Sequence, residues 1–266
     1  MIKNTPLTQE EYFLQAANRG DFVTVEAMVR QNEVDINCTD EIGTTALIRA
    51  AERGDIRMTA YLIEMGADVN KKAHTTGETA LLNATENNQI EVIDLLLEKG
   101  ANINEADNHG KTPLLTAISE RNTPLALAYI GKGADVNAQN IFGQNALHLS
   151  VKNSDEILTA FLLNEGANVN IADEKGQTPI HYAAHSKNIK ITSLLLNFGA
   201  NINATTKEGG KPIDIAIQNQ DAKMFEFLTM QGAETKTATA VIKKELNRTP
   251  LYQMLTILNN TDRQNY

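Results

Sequence analysis

Gly-Ala pairs recur along this 266-residue chain at Gly66, Gly100, Gly133, Gly166, Gly199 and Gly232, with spacings of 34, 33, 33, 33 and 33 residues. A second glycine series (Gly43, Gly77, Gly110, Gly143, Gly176 and Gly209) has the same spacings in the same order. Two series that share a period and one insertion define a tandem array, in which each period is a supersecondary unit that buries its apolar face only by stacking on its neighbours. The inserted residue falls within 71–76, so it lengthens a loop and leaves the helices in register. Asn37, Asn70, Asn104, Asn137, Asn170 and Asn203 follow the same period.

Within a period the pattern predicts helix, turn, helix and a projecting hairpin finger. Thr45, Thr79, Thr112 and Thr178 stand two residues after the second-series glycine. Each is suited to an N-cap, where its hydroxyl accepts an orphan backbone N–H. Pro113, Pro179 and Pro212 follow at the first helical position, where a missing N–H costs nothing. First helices are expected at 47–53 and 180–186, for example. Asp21, Asp55, Asn122, Asp155, Asn188 and Asp221 form a second cap series, and helical apolar spacing follows it, as in Ile90, Ile93 and Leu97. The glycine of each Gly-Ala pair then ends the second helix in the left-handed conformation.

GQTPIHYAA at 176–184 and GADVN at 66–70 and 133–137 resemble the ankyrin repeat. That resemblance covers residues 10–236 and implies an all-α fold with short β-hairpin fingers, an ankyrin-repeat solenoid. One domain over 1–266 is expected: an N-terminal capping repeat at 9–42 that lacks a first finger, six full repeats at 43–236, and a helical C-terminal cap with a frayed tail at 237–266. The family histidine that ties one finger to the next is kept as His148 and His181. Ile48, Leu82, Leu115 and Asp214 replace it elsewhere, so those junctions are expected to be looser or joined by apolar contact. The glycine between the two helices survives only at Gly20 and Gly54.

Composition narrows the function. Apolar residues at 42% suffice for a core, and with aromatics at 5% and no Trp that core must come from Leu, Ile, Val and Ala. A net charge of −9 argues against a nucleic-acid binder, which needs clustered Lys and Arg. No stretch approaches the length of a membrane span, and residues 1–20 lack a secretory apolar core. Cys38 is the one cysteine, which suits a reducing compartment. It has no recognisable His partner for nucleophilic work. His181 and His185 have i, i+4 metal spacing, but His181 holds the structural His position and no third ligand is near in sequence. Gly209-Gly210-Lys211 lacks the phosphate-loop pattern. No catalytic residue, metal or cofactor is expected.

The resemblance implies a partner-binding concave face of finger tips and first helices. Carried over by position, it comprises Glu41, Ile42, Glu52, Arg53, Glu78, Glu86, Asn108, His109, Glu120, Ile141, Phe142, Lys152, Lys175 and His185. Net charge runs from −5 over 1–66 to +1 over 200–266, so the N-terminal repeats would steer toward a basic partner. The expected function is non-enzymatic: a cytoplasmic, monomeric module that binds and masks or inhibits another protein. An immunity-type antidote to a toxin or enzyme, an effector exported without a cleaved leader, and an enzyme with an unrecognised site are the alternatives.

Overall fold

The computed structural model describes residues 7–235 together with Met254 and Thr256. It falls into two compact units, Met1–Asp135 and Val136–Tyr266. The first holds four helix pairs: α1 (Gln9–Arg19) with α2 (Phe22–Arg30), α3 (Ala46–Arg53) with α4 (Ile56–Glu64), α5 (Ala80–Glu86) with α6 (Ile90–Glu98), and α7 (Pro113–Ser119) with α8 (Thr123–Gly131). The second holds three: α9 (Ala146–Lys152) with α10 (Glu156–Asn164), α11 (Pro179–His185) with α12 (Ile189–Asn197), and α13 (Pro212–Gln218) with α14 (Ala222–Met230). Within each unit the first helices pack in succession, α1 on α3 on α5 on α7, and α9 on α11 on α13.

Most of the expected caps are made; among the threonines Thr178 differs, since its hydroxyl makes no cap bond and His181 N–H donates to Thr178 O at 2.9 Å. Thr45, Thr79 and Thr112 hydroxyls accept from the N–H groups of Ile48, Leu82 and Leu115 at 3.2, 3.3 and 3.3 Å. Asp55, Asn122, Asp155, Asn188 and Asp221 cap the second helices in the same way. Gln89 is the exception: it caps nothing, and its amide reaches back to the Glu52 carbonyl at 3.3 Å. Between the two helices, the positions that lost glycine keep its backbone conformation. Asn88, Arg121, Ser154, Lys187 and Gln220 all have φ between 53° and 58°. The flanking helices over-determine that turn, so the residues accept the left-handed strain.

Where β-hairpin fingers were expected, the described residues contain no strand. Each finger is one tight turn, a β-turn except in the second, where the inserted residue makes Gly77 N–H reach Ala73 O four residues back. In the third, Gly110 N–H donates to Asp107 O and Asp107 N–H to Lys111 O, both at 3.0 Å. Within each unit successive fingers share one backbone bond each, which is too little to form a ladder of strands. These are Thr75 to Ile42 (3.3 Å) and Asn108 to Thr76 (2.9 Å) in the first unit, and Glu174 to Phe142 and Lys207 to Lys175 (both 2.9 Å) in the second.

The periodic asparagines form a second set of links. Asn70 Oδ1 accepts from Asn102 N–H at 2.8 Å while its Nδ2 donates to Gly100 O at 3.1 Å. Asn170 does the same with Asn201 and Gly199. Each amide therefore satisfies backbone groups of the next repeat's Gly-Ala turn, which explains why an exposed position stays Asn throughout.

Core side chains are small and aliphatic, as expected: Leu47, Ala50, Leu81, Ala84, Leu114 and Ala117 are buried in the first unit, joined by only two large aromatics, Phe13 and Tyr129. At junctions without histidine, Ile48 and Leu82 are buried and the finger bonds beside them, Thr75 to Ile42 and Asn108 to Thr76, are made, so apolar burial stands in for the lost polar link; Leu115 is buried as well. Asp214 instead accepts from Lys211 N–H at 2.9 Å. The C-terminal cap expected at 237–266 lies outside the described residues, apart from Met254 and Thr256. Met254 is helical and fully buried in a cluster with Ile213, Ala216, Phe225 and Leu228.

Asn145, which stands where other repeats have Thr, leaves a defect. His148 Nδ1 faces Asn145 N–H at 3.3 Å, and Nε2 faces Gln177 O at 3.1 Å. That assigns the single ring proton to Nε2. Asn145 Oδ1, 2.7 Å from Nδ1, then meets an acceptor, and Asn145 Nδ2 is buried without a partner. A threonine hydroxyl would donate to Nδ1, as the Thr178 hydroxyl, 2.9 Å from His181 Nδ1, is placed to do. Asn145→Thr is expected to stabilise the protein by about 1 kcal/mol. Denaturant titration checks this, and a lower midpoint would refute it.

Candidate functional site

The candidate surface residues divide between the units. Glu41, Ile42, Glu52, Arg53, Glu78, Glu86, Asn108, His109 and Glu120 lie in the first; Ile141, Phe142, Lys152, Lys175 and His185 lie in the second. All are exposed except Glu52 and Glu78, which are half-buried.

Exposure does not make every one of them available. Arg53 Nη1 donates to Asn18 O at 3.2 Å, holding the end of α1. Asn108 Nδ2 donates to Thr75 O at 2.9 Å, bridging two fingers. Glu52 pairs with Arg49 at 3.1 Å, and Glu86 with Lys111 at 3.2 Å. These polar ends are already engaged inside the fold. Surface ion pairs of this kind contribute little to stability, but a partner must displace them.

The finger at Ile141 and Phe142 is different. Both side chains are exposed, at 52% and 62%. Their backbone is fixed: Asn140 Oδ1 accepts from Phe142 N–H at 2.9 Å, Gly143 N–H donates to Asn140 O at 2.8 Å, and Phe142 O accepts from Glu174 N–H. At its base, Gln144 Nε2 donates to the Tyr182 hydroxyl at 2.6 Å, and that hydroxyl donates to Asp173 Oδ2 at 2.8 Å. Burial pushes the Tyr182 phenol up to about 12, so it stays a donor at neutral pH. Two large apolar groups thus stand on a rigid turn.

Several chemical candidates are closed by geometry. Cys38 is buried, and burial, reinforced by the charges of Glu10 and Asp35, pushes its thiol up to about 11. It is protonated at neutral pH, which is the inert state. His181 is fully buried with Nδ1 facing Thr178 and Nε2 facing Gly210 O at 3.3 Å, while His185 is exposed, so the pair shares no site. Among the described residues no three metal-ligating side chains cluster, and no helix is long and apolar enough to cross a membrane.

The candidate set includes Glu41 and Ile42 of the N-terminal repeat but no residue of α1. In the structure a groove of about 660 Å³ lies there, between α1 and the first finger, with Glu10, Leu14, Asp40 and Glu41 among its walls. The signal for it was present in the sequence as the missing finger of that repeat.

Paired short helices linked by bonded turns, with the turn tips and the C-terminal ends of the first helices exposed, define a tandem-repeat scaffold. A family model for ankyrin repeats, three copies long, matches residues 13–107, 66–140, 114–206 and 147–239. The chain belongs to the ankyrin-repeat family. It is 37% identical over 68 residues to human ankyrin repeat domain-containing protein 29, a stretch of 26% of this chain and 22% of that protein. Over 55 residues it is 44% identical to palmitoyltransferase akr1 of Schizosaccharomyces pombe, covering 21% of this chain and 9% of the enzyme. The chain thus spans less than a quarter of either relative's length. The crystal structure of the human ASB11 ankyrin repeat domain superposes with a TM-score of 0.67 at 22% identity, covering 84% of this chain and 98% of that one. This likeness concerns the fold.

Proposed function

We propose that the chain acts by occupancy, binding a partner protein over its fingers and inner helices and so masking or inhibiting it, without catalysis. Ankyrin repeats make it a protein–protein interaction module; the masking role is our reading. The observation that carries it is the finger at Ile141 and Phe142. Exposed apolar groups on a pre-ordered turn lose little entropy on binding, and anchors of this kind concentrate binding energy. The reading extends to a monomer in the cytoplasm, a setting that suits the unpaired, protonated Cys38.

The test uses the partner that co-purifies with the full chain. Ile141→Ala/Phe142→Ala should keep the unfolding midpoint, because both side chains are already in water. Affinity should fall about tenfold or more, about 1.4 kcal/mol. Unchanged affinity in a stably folded double variant would sink the anchor. A fall in midpoint would show instead that the pair packs against neighbouring fingers.

A further inference from the structure

The groove beside α1 marks the place of the finger that the first repeat lacks. Elsewhere in this unit the residue two before the finger glycine donates its N–H to the preceding finger: Thr75 to Ile42 O and Asn108 to Thr76 O. Glu41 is the equivalent residue of the first finger, and its N–H donates to no described residue. A backbone donor without a partner among the described residues therefore heads the series, on the wall of the groove.

Two further features describe what would fit. Three apolar side chains line the groove: Leu14, nearly buried at 8% exposure, and Leu7 and Ile42, exposed at 49% and 47%. Its walls carry the carboxylates of Glu10, Glu11, Asp40 and Glu41 against one cation, Arg49. That guanidinium is already shared between Asp40 at 3.2 Å and Glu52 at 3.1 Å.

We propose that this groove docks an extended, Lys- or Arg-bearing segment of a partner protein, which takes the place of the missing finger. A backbone carbonyl of the segment accepts from Glu41 N–H, an apolar side chain rests on Leu14, and a basic side chain pairs with Glu10 and Glu41. An extended segment fits because its carbonyls are free, whereas those of a helix are used internally. A basic one fits because the uncompensated wall charge is negative. The proposal rests on the reading of the finger and inner-helix surface as the partner face, and names the partner chemistry at its N-terminal end.

The test is fluorescence anisotropy of the full chain with a dye-labelled decapeptide of alternating Lys and Val, beside a Glu and Val twin. Alternation puts Val on one face of an extended chain and Lys on the other. The Lys peptide should bind at low salt and the Glu peptide should not. Glu10→Gln/Glu41→Gln should weaken binding by about fivefold, and the loss should shrink as salt rises. Glu41→Pro removes the N–H at a turn position that proline favours, and should weaken binding by about a further fivefold relative to Glu41→Gln. If Glu41→Pro lowers the melting midpoint, a peptide with esters for alternate amides, whose carbonyls accept more weakly, makes the same comparison on the unchanged chain. Failure of the Lys peptide to bind, equal binding of the Glu peptide, or insensitivity to both backbone changes would overturn the proposal. So would sedimentation showing a dimer that Glu10→Gln/Glu41→Gln dissolves, since the groove would then hold a second copy. None of these results bears on Ile141 and Phe142, which lie in the other unit and are read by native-partner affinity.

Discussion

Gly143→Ala is expected to cost about 2–5 kcal/mol, several times the cost of Gly133→Ala. Both glycines have positive φ, 72° and 89°. A Cβ in that region costs about 1–2 kcal/mol in either place. Gly133 follows α8 with Ala134 N–H bonded to Tyr129 O at 3.0 Å, and a Cβ there would meet nothing within 4 Å. At Gly143 the Cβ would lie 2.8 Å from Glu174 N and 2.9 Å from Asp173 Cα. Those neighbours are backbone, and they are held by the Glu174 to Phe142 bond and by Asp173 N–H to Gln177 O at 2.9 Å. No side chain can swing away, so overpacking adds about 1–3 kcal/mol to the conformational cost. Equilibrium denaturation of the two variants measures the contrast. Equal losses would mean that successive fingers yield easily, and the rigid turn under Phe142 would lose its basis.

The period gave the helices, their caps and their order, because each depends on residues within one repeat. Thr45 caps Ile48 three residues away, and nothing distant can undo that. What stayed hidden depends on groups about 30 residues apart. The glycine series was legible, but not that Gly143 is crowded and Gly133 is free, since crowding comes from the next finger. The asparagine series was visible as a pattern without a role, because its partners lie 29–32 residues on. Arg121 and Lys187 looked like drift from glycine, yet the backbone there is unchanged. For the site, sequence position placed Ile141 and Phe142 in solvent correctly. It could not show that Arg53 is spent on Asn18 O, 35 residues earlier. Nor did the residue pattern of α1 announce a groove, because the groove is made by what the first repeat omits.

Acidification from pH 7.5 to 5.5 is expected to destabilise the second unit selectively. His148 and His181 are fully buried, and burial holds both below the ordinary histidine value. For His181 the carbonyls of Gly210 and Ala204 offset this only in part; for His148 the Gln177 carbonyl and the Asp173 charge do so. The geometry agrees, since Thr178 N–H points at His181 Nδ1 from 3.1 Å and a proton there would face a donor. The unfolded chain takes up protons as pH falls through about 6.5, while the folded unit does not until its lower values are reached. Stability is therefore complete above about pH 6.5 and declines below it, by at most about 1.4 kcal/mol per pH unit for each histidine. The corresponding positions of the first unit are Ile48, Leu82 and Leu115, which do not titrate. Hydrogen exchange of α9 and α11 amides, corrected for intrinsic rate, should lose protection over this range, while α5 and α7 stay level. His148→Leu/His181→Leu, with the residue that serves at positions 82 and 115, should flatten the profile. Protection of α9 and α11 that holds or rises on acidification would show that the folded unit accommodates a charged ring, and that these histidines hold the finger junctions equally well in either protonation state.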